Sequence, residues 1–108
     1  MKPLNIFILA ASPLFLFLEC DTRAQSEGEL PEATEPWLAE EGDWAARYNQ
    51  AQIACYQGSM KACDSIWLDD RVLSDTPLYN YGRTCGGRVD LRTIRHSGLN
   101  CTEFFPGH

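Results

Sequence analysis

The chain has 108 residues, five cysteines and a formal net charge of −6 at pH 7. This negative charge disfavours nucleic-acid partners and a membrane-lytic role, because both require approach to polyanionic surfaces. The sequence contains no catalytic, nucleotide-binding or metal-binding motif: His96 and His108 are far apart and no cysteine pair has a zinc-like spacing. We therefore predict no cofactor, no metal site and no enzymatic activity.

The N-terminus predicts export. Lys2 precedes an almost entirely apolar run over 4–18, and Ala24 ends a triplet suited to signal-peptide cleavage. The run falls short of the roughly 20 residues that span a bilayer, so we expect cleavage and no stable membrane insertion afterwards. Cys20 offers an alternative lipid attachment, although Glu19 stands where lipoprotein signals carry a small residue. We expect a secreted or periplasmic protein; the alternative is a membrane tether through an uncleaved N-terminus or lipidated Cys20.

Cleavage would divide the chain into a signal peptide (1–24), an acidic and poorly ordered leader (25–42) and a disulfide-linked domain (43–108). Between 27 and 43 the sequence has seven acidic residues and no basic one. They are Glu27, Glu29, Glu32, Glu35, Glu40, Glu41 and Asp43. Such a run is typical of a solvated segment. A domain this small buries little apolar surface, so disulfides are expected to stabilise it.

A helical hairpin is the clearest predicted structure. Trp44, Tyr48, Ala51 and Cys55 recur at helical spacing, which predicts a helix near 43–57 with Asp43 as its N-cap. Gly58 is expected to end this helix, and Ser59 to cap a second one from Met60 to about Leu68. Its predicted apolar face consists of Ala62, Cys63, Ile66 and Trp67.

The remainder is predicted to be less regular. The run Asp75-Thr76-Pro77 predicts a cap followed by proline at the first position of a short third helix over 77–81, which Gly82 would terminate. A turn follows at 84–87, and 89–94 is interpreted as a short strand or an irregular segment. The expected fold class is mainly α: a disulfide-linked helical hairpin, a short third helix and an irregular C-terminal segment.

The four cysteines of the mature chain allow three disulfide pairings. Chain entropy gives about 2.6 and 3.1 kcal/mol for Cys55–Cys63 and Cys85–Cys101, against about 3.7 and 3.9 kcal/mol for the interleaved Cys55–Cys85 and Cys63–Cys101. Because the hairpin already brings Cys55 and Cys63 together, we expect the local pairing. The interleaved pairing is the alternative that the spacing leaves open.

Two resemblances accompany these patterns. The segment from Ala54 to Cys63 resembles the cysteine-bearing corner of one Sel1-like repeat, in which cysteines eight positions apart bridge two helices. A solenoid needs about three repeats, and a second copy is lacking here. The segment from Ala51 to Arg88, with its A-C-D and Y-G-x-T-C-G-G-R motifs, is similar to a small four-cysteine segment of exported bacterial proteins of unassigned function. The resemblance implies a bacterial envelope setting and no transferable functional residues.

Two surfaces are candidate binding sites. The first is a glycine turn with nearby arginines, which would bind an anion through backbone N–H groups and guanidinium groups. Its residues are Arg83, Gly86, Gly87, Arg88, Arg92 and Arg95. A tight turn without a ligand is the alternative. The second surface is Trp37 with Phe104 and Phe105, a docking patch if these rings are exposed.

The sequence thus favours an exported binding or interaction module whose partner is a protein or a small acidic solute. The alternatives are a structural or accessory protein of the envelope and, with less support, a small hydrolase. The oligomeric state is not predicted.

Overall fold

A computed structural model describes residues 29–108; the predicted signal peptide and Cys20 lie outside this range. The described chain is mainly α, which confirms the expected class, and contains no strand. Its elements are a 3-10 helix Trp44–Tyr48, α1 Asn49–Tyr56, α2 Met60–Trp67, α3 Pro77–Arg83, α4 Leu91–Ser97 and α5 Cys101–Phe104. Within residues 29–108, no helix has both the length and the apolar character needed to cross a membrane.

The predicted hairpin is formed by α1 and α2. Gly58 has a φ of +112°, which lets the chain reverse after α1, and the Ser59 hydroxyl accepts a hydrogen bond from the Ala62 backbone N–H at 3.1 Å. The reversal brings Cys55 and Cys63 together, with their Cα atoms 4.8 Å apart across a disulfide. The local corner therefore forms as its sequence predicts.

The first helix differs from its prediction at its N-terminal end. Asp43 caps a 3-10 helix, accepting from the Ala45 N–H at 3.0 Å, and α-helical geometry begins only at Asn49. A 3-10 helix turns about 20° more per residue than an α-helix. Over the four residues from Trp44 to Tyr48, the angle between the two side chains therefore differs by about 80° from its value in an α-helix. Tyr48 is buried, whereas Trp44 is 51% exposed.

Helix α3 begins as predicted and extends further. The Thr76 hydroxyl accepts from the Tyr79 N–H at 3.2 Å and Pro77 occupies the first turn. The prediction that Gly82 ends this helix is wrong, because α3 runs to Arg83. A Cβ atom at Gly82 would lie 2.7 Å from the carbonyl oxygen of Cys63 on α2. The glycine therefore allows close packing of α3 against α2 rather than stopping the helix.

The strand or irregular segment expected at 89–94 is also incorrect. Asp90 accepts a hydrogen bond from the Thr93 N–H at 3.0 Å and caps α4, and Asn100 and Glu103 form a capping box at the start of α5. Capping hydrogen bonds favour helix at these termini, although the apolar pattern between them is weak. The C-terminal segment thus contains two short helices.

The four cysteines are completely buried and form the centre of the core with Met60 and Ile94. Cys85 and Cys101 form the second disulfide, with Cα atoms 5.6 Å apart. The local pairing is confirmed, and the interleaved alternative is wrong.

A buried carboxylate joins the C-terminal helix to the hairpin. Asp64 of α2 accepts hydrogen bonds from the backbone N–H groups of Cys101 at 2.8 Å and Thr102 at 3.1 Å. Its Oδ1 also accepts from the Trp67 indole at 2.9 Å. A buried carboxylate is tolerated when its acceptor positions are filled in this way. Asp64 therefore positions α5, and with it Cys101, against α2.

Candidate functional site

The described part of the leader, residues 29–42, lies against the helical domain. Thr34 donates its backbone N–H to the Gly86 carbonyl at 2.8 Å and accepts from the Tyr81 hydroxyl at 2.7 Å. The Ala39 backbone forms two hydrogen bonds with the Asn49 side-chain amide, at 3.1 and 2.9 Å. The leader is non-helical, and its acidic side chains are exposed, yet its backbone has specific partners on the domain.

Arg88 connects the leader to both disulfide-linked segments. Its Nε donates to the Pro31 carbonyl at 3.1 Å, and its Nη2 donates to the Tyr56 carbonyl at 3.0 Å. Its Nη1 donates to the carbonyls of Cys55 and Cys85, both at 3.0 Å. Desolvation lowers the pKa of Arg88, although a guanidinium stays charged at physiological pH. Four carbonyl oxygens thus replace the external anion that the sequence predicted for this side chain.

The glycines of the predicted anion turn are engaged in the same way. The Gly86 N–H donates to the Tyr81 carbonyl at 2.8 Å, and the Gly87 N–H donates to the Thr84 hydroxyl at 3.2 Å. Both glycines have positive φ. A Cβ atom at Gly87 would collide with the Thr34 side chain. Gly87 therefore lets the leader approach the turn closely, whereas a Cβ atom at Gly86 would lie 2.9 Å from Nη1 of Arg88.

The other arginines of this candidate site point to different places. Arg83 is buried: it donates to the carbonyls of Leu99 at 3.0 Å and Ile94 at 3.3 Å, and its guanidinium lies 4.4 Å from the centre of the Trp67 ring. Its positive charge therefore stabilises the C-terminal end of α4, where the backbone carbonyls carry partial negative charge.

Arg95 and Arg92 are both exposed. Arg95 forms an ion pair with Asp75 at 2.9 Å. The side chain of Arg92 forms no hydrogen bond within residues 29–108. The structure does not bring the four arginines together, and the anion site stays a prediction that these contacts do not support.

A groove lies between the leader and the helices, with a cavity volume of about 440 Å³. Its main lining residues are Glu35, Trp37, Asp43, Trp44, Pro77 and Tyr81, and we call it the tryptophan groove. Trp37 is 81% exposed. Among residues 29–108, Glu35 and Asp43 are the only charged residues of its lining. The groove therefore combines exposed aromatic surface with negative charge.

Three elements build the tryptophan groove. The leader contributes Glu35 and Trp37, the start of the 3-10 helix contributes Trp44, and α3 contributes Pro77 and Tyr81. Burial raises the pKa of Tyr81, against the opposing effect of the Arg88 charge, so its hydroxyl stays protonated and donates to Thr34 at neutral pH. The hydrogen bond between Tyr81 and Thr34 holds the leader against α3, so the leader forms one wall of the groove.

The second sequence-predicted surface is only partly present. Trp37 is exposed as expected, but Phe104 and Phe105 are half-buried and pack against the core. Sequence reasoning missed the contribution of Trp44, because its helical spacing indicated a buried position. The available signal was the acidic run on both sides of Trp37, since it places carboxylates beside an isolated exposed aromatic ring.

Comparison of the chain with family models, curated proteins and solved structures finds no match. The structure itself places two buried disulfides in the domain, which indicates a non-reducing environment. Within residues 29–108, no three metal-ligating side chains cluster. The arrangement is chemically suited to non-covalent binding at the tryptophan groove.

Proposed function

We propose that this protein is an exported small binding module and that the tryptophan groove is its ligand-binding surface. The observation that carries this proposal is the 81% exposure of Trp37 at the edge of a groove that also contains Trp44. Tryptophan is a preferred anchor of binding surfaces, because it supplies a large rigid contact area at low entropic cost. The volume of about 440 Å³ falls in the range of ligand sites.

The groove is supported by rigid connections. Thr34 and Ala39 fix the leader on either side of Glu35 and Trp37 through backbone hydrogen bonds. Arg88 holds the preceding residues to the disulfide-linked core. Such preorganisation favours binding, since less conformational freedom is lost when a ligand enters.

The signal-like N-terminus and the two disulfides both support export. We propose a periplasmic or secreted location, in which the oxidised core is stable. A binding role also fits the lining of the groove, where the described residues of the leader, the 3-10 helix and α3 present aromatic rings and no nucleophile paired with a base.

Binding can be tested with two probe sets: a displayed library of random peptides and a panel of soluble neutral polysaccharides. The oxidised protein, exported from a bacterial host, would be compared with Trp37→Ala and with the control Leu73→Ala, which removes another exposed apolar side chain outside the groove. We expect at least one probe to bind, with affinity lost in Trp37→Ala and retained in Leu73→Ala. Absence of any binding, or binding that Trp37→Ala leaves unchanged, would overturn the proposal.

A further inference from the structure

We propose that the tryptophan groove takes an extended, positively charged segment of a partner protein, in which a lysine or arginine lies beside an apolar residue. This inference rests on the proposed function and specifies its ligand class. It is carried by the charge of the groove, by its exposed rings and by the backbone at its edge.

The negative charge of the groove predicts a positively charged ligand. Glu35 and Asp43 line the groove, and Glu40 and Glu41 lie between them in sequence with exposed side chains. No basic residue of the described chain lines the groove. The nearby Arg88 is directed into backbone carbonyls. A basic side chain would therefore meet unopposed carboxylates, whereas an acidic solute would be repelled.

The aromatic surface gives the shape of the ligand side chains. Trp37 and Trp44 present exposed rings, and Pro77 and Tyr81 also line the groove. An indole face attracts lysine and arginine through its quadrupole and also covers their aliphatic stems. The same rings accept a neighbouring proline or aliphatic side chain, as aromatic-lined grooves do for extended peptides.

The unpaired backbone groups of the leader favour a ligand in an extended conformation. Residues 35–38 are non-helical, and no hydrogen bond within 29–108 involves their backbone groups. Thr34 and Ala39, immediately outside this stretch, are fixed to the domain. The unpaired backbone groups of this stretch, which exclude an N–H at Pro36, can therefore pair with a short extended peptide.

The test uses the peptides selected from the random displayed library. We expect lysine or arginine to be enriched beside proline or aliphatic residues, and binding to weaken as salt is raised from about 50 to 500 mM, because exposed charges are screened. In Glu35→Gln/Asp43→Asn we expect about three- to tenfold weaker binding of the selected basic peptides. The asparagine retains the capping oxygen at position 43. Glu40→Gln/Glu41→Gln removes the same charge outside the groove lining and is expected to change affinity less than twofold.

The outcomes separate the two proposals. If the selected peptides lose binding in Trp37→Ala but show no enrichment of lysine or arginine, the groove is a binding site, and the inference of a basic ligand is overturned. Binding of a polysaccharide that depends on Trp37, without binding of any peptide, would likewise support the groove as a binding site and overturn the inference of a basic peptide ligand. Equal weakening by the two double variants would show that general charge, rather than the groove, attracts the peptide, and would also overturn it. Peptides that bind Trp37→Ala unchanged would overturn the proposed function itself.

Discussion

Thr34 and Gly86 are joined by a backbone hydrogen bond of 2.8 Å between residues that lie 52 positions apart. This bond places the acidic leader across the turn that follows Cys85. Because the leader carries Trp37, the contact also determines where the most exposed aromatic ring of the described domain lies. The stability of the leader and the geometry of the groove are therefore coupled.

Removal of the disulfides should destabilise the domain unequally. The chain-entropy relation predicts losses of about 2.6 kcal/mol for Cys55→Ala/Cys63→Ala and about 3.1 kcal/mol for Cys85→Ala/Cys101→Ala. Urea unfolding followed by circular dichroism measures both values. Full reduction should abolish most of the helical signal, since the core is small. Retention of that signal after reduction would contradict the stabilising role of the disulfides.

Replacement of Arg88 by lysine should release the leader. An ammonium group cannot reproduce the planar donors that reach Pro31, Cys55 and Tyr56, so we expect a loss of about 1–3 kcal/mol in the free energy of unfolding. Hydrogen exchange at the Thr34 amide should accelerate. The matched control is Arg92→Lys, at an exposed position, with an expected change within about 0.5 kcal/mol. Unchanged protection of Thr34 in Arg88→Lys would refute this role.

Alanine substitutions at two glycines should separate backbone strain from steric exclusion. Gly87 and Gly98 both have positive φ, but only Gly87 faces the Thr34 side chain, whereas open space surrounds Gly98. We expect Gly98→Ala to lose about 1 kcal/mol and Gly87→Ala to lose at least about 1 kcal/mol more. Thermal unfolding of both variants measures the difference. Equal losses would show that the leader does not restrict position 87.

Substitution of the buried carboxylate Asp64 should loosen α5. Asparagine cannot accept at both oxygen positions, so at least one N–H group of Cys101, Thr102 or the Trp67 indole loses its partner. The expected cost for Asp64→Asn is about 1–3 kcal/mol. Hydrogen exchange at the Cys101 and Thr102 amides should become faster. Unaltered exchange at both amides would argue against this connection.

The Asp69 carboxylate should contribute to acid sensitivity. Hydrogen bonds from the Arg71 side chain and backbone, with a further one from the Tyr48 hydroxyl, hold the pKa of Asp69 well below its ordinary value of 3.8. The folded state binds this proton less readily than the unfolded state, so the contribution is present above pH 3.8 and is lost as the pH falls towards the lowered pKa.

Urea midpoints at pH 5 and pH 2.5 test this contribution. We expect a smaller decrease between the two pH values for Asp69→Asn than for the unaltered protein. Asp70→Asn, whose side chain forms no hydrogen bond within 29–108, is the control and should retain the full decrease. An equal pH dependence in the protein and Asp69→Asn would contradict the prediction.

The sequence by itself determined the features that depend on near neighbours. The corner from Cys55 to Cys63 needs only a glycine at positive φ and a serine cap, and its disulfide follows from that local reversal. The start of α3 likewise depends on Thr76 and Pro77. Each of these signals acts over a few residues, so it can be recognised in the sequence.

The tertiary structure decided the identity of the candidate site. The sequence predicted an anion site at Arg88 because three of its four acceptors lie 57, 33 and 32 positions away, at Pro31, Cys55 and Tyr56. Gly82 similarly reads as a helix stop until α2 is packed against it. Partners at such separations are chosen when the whole chain packs and leaves few polar groups unpaired. No local pattern records that choice.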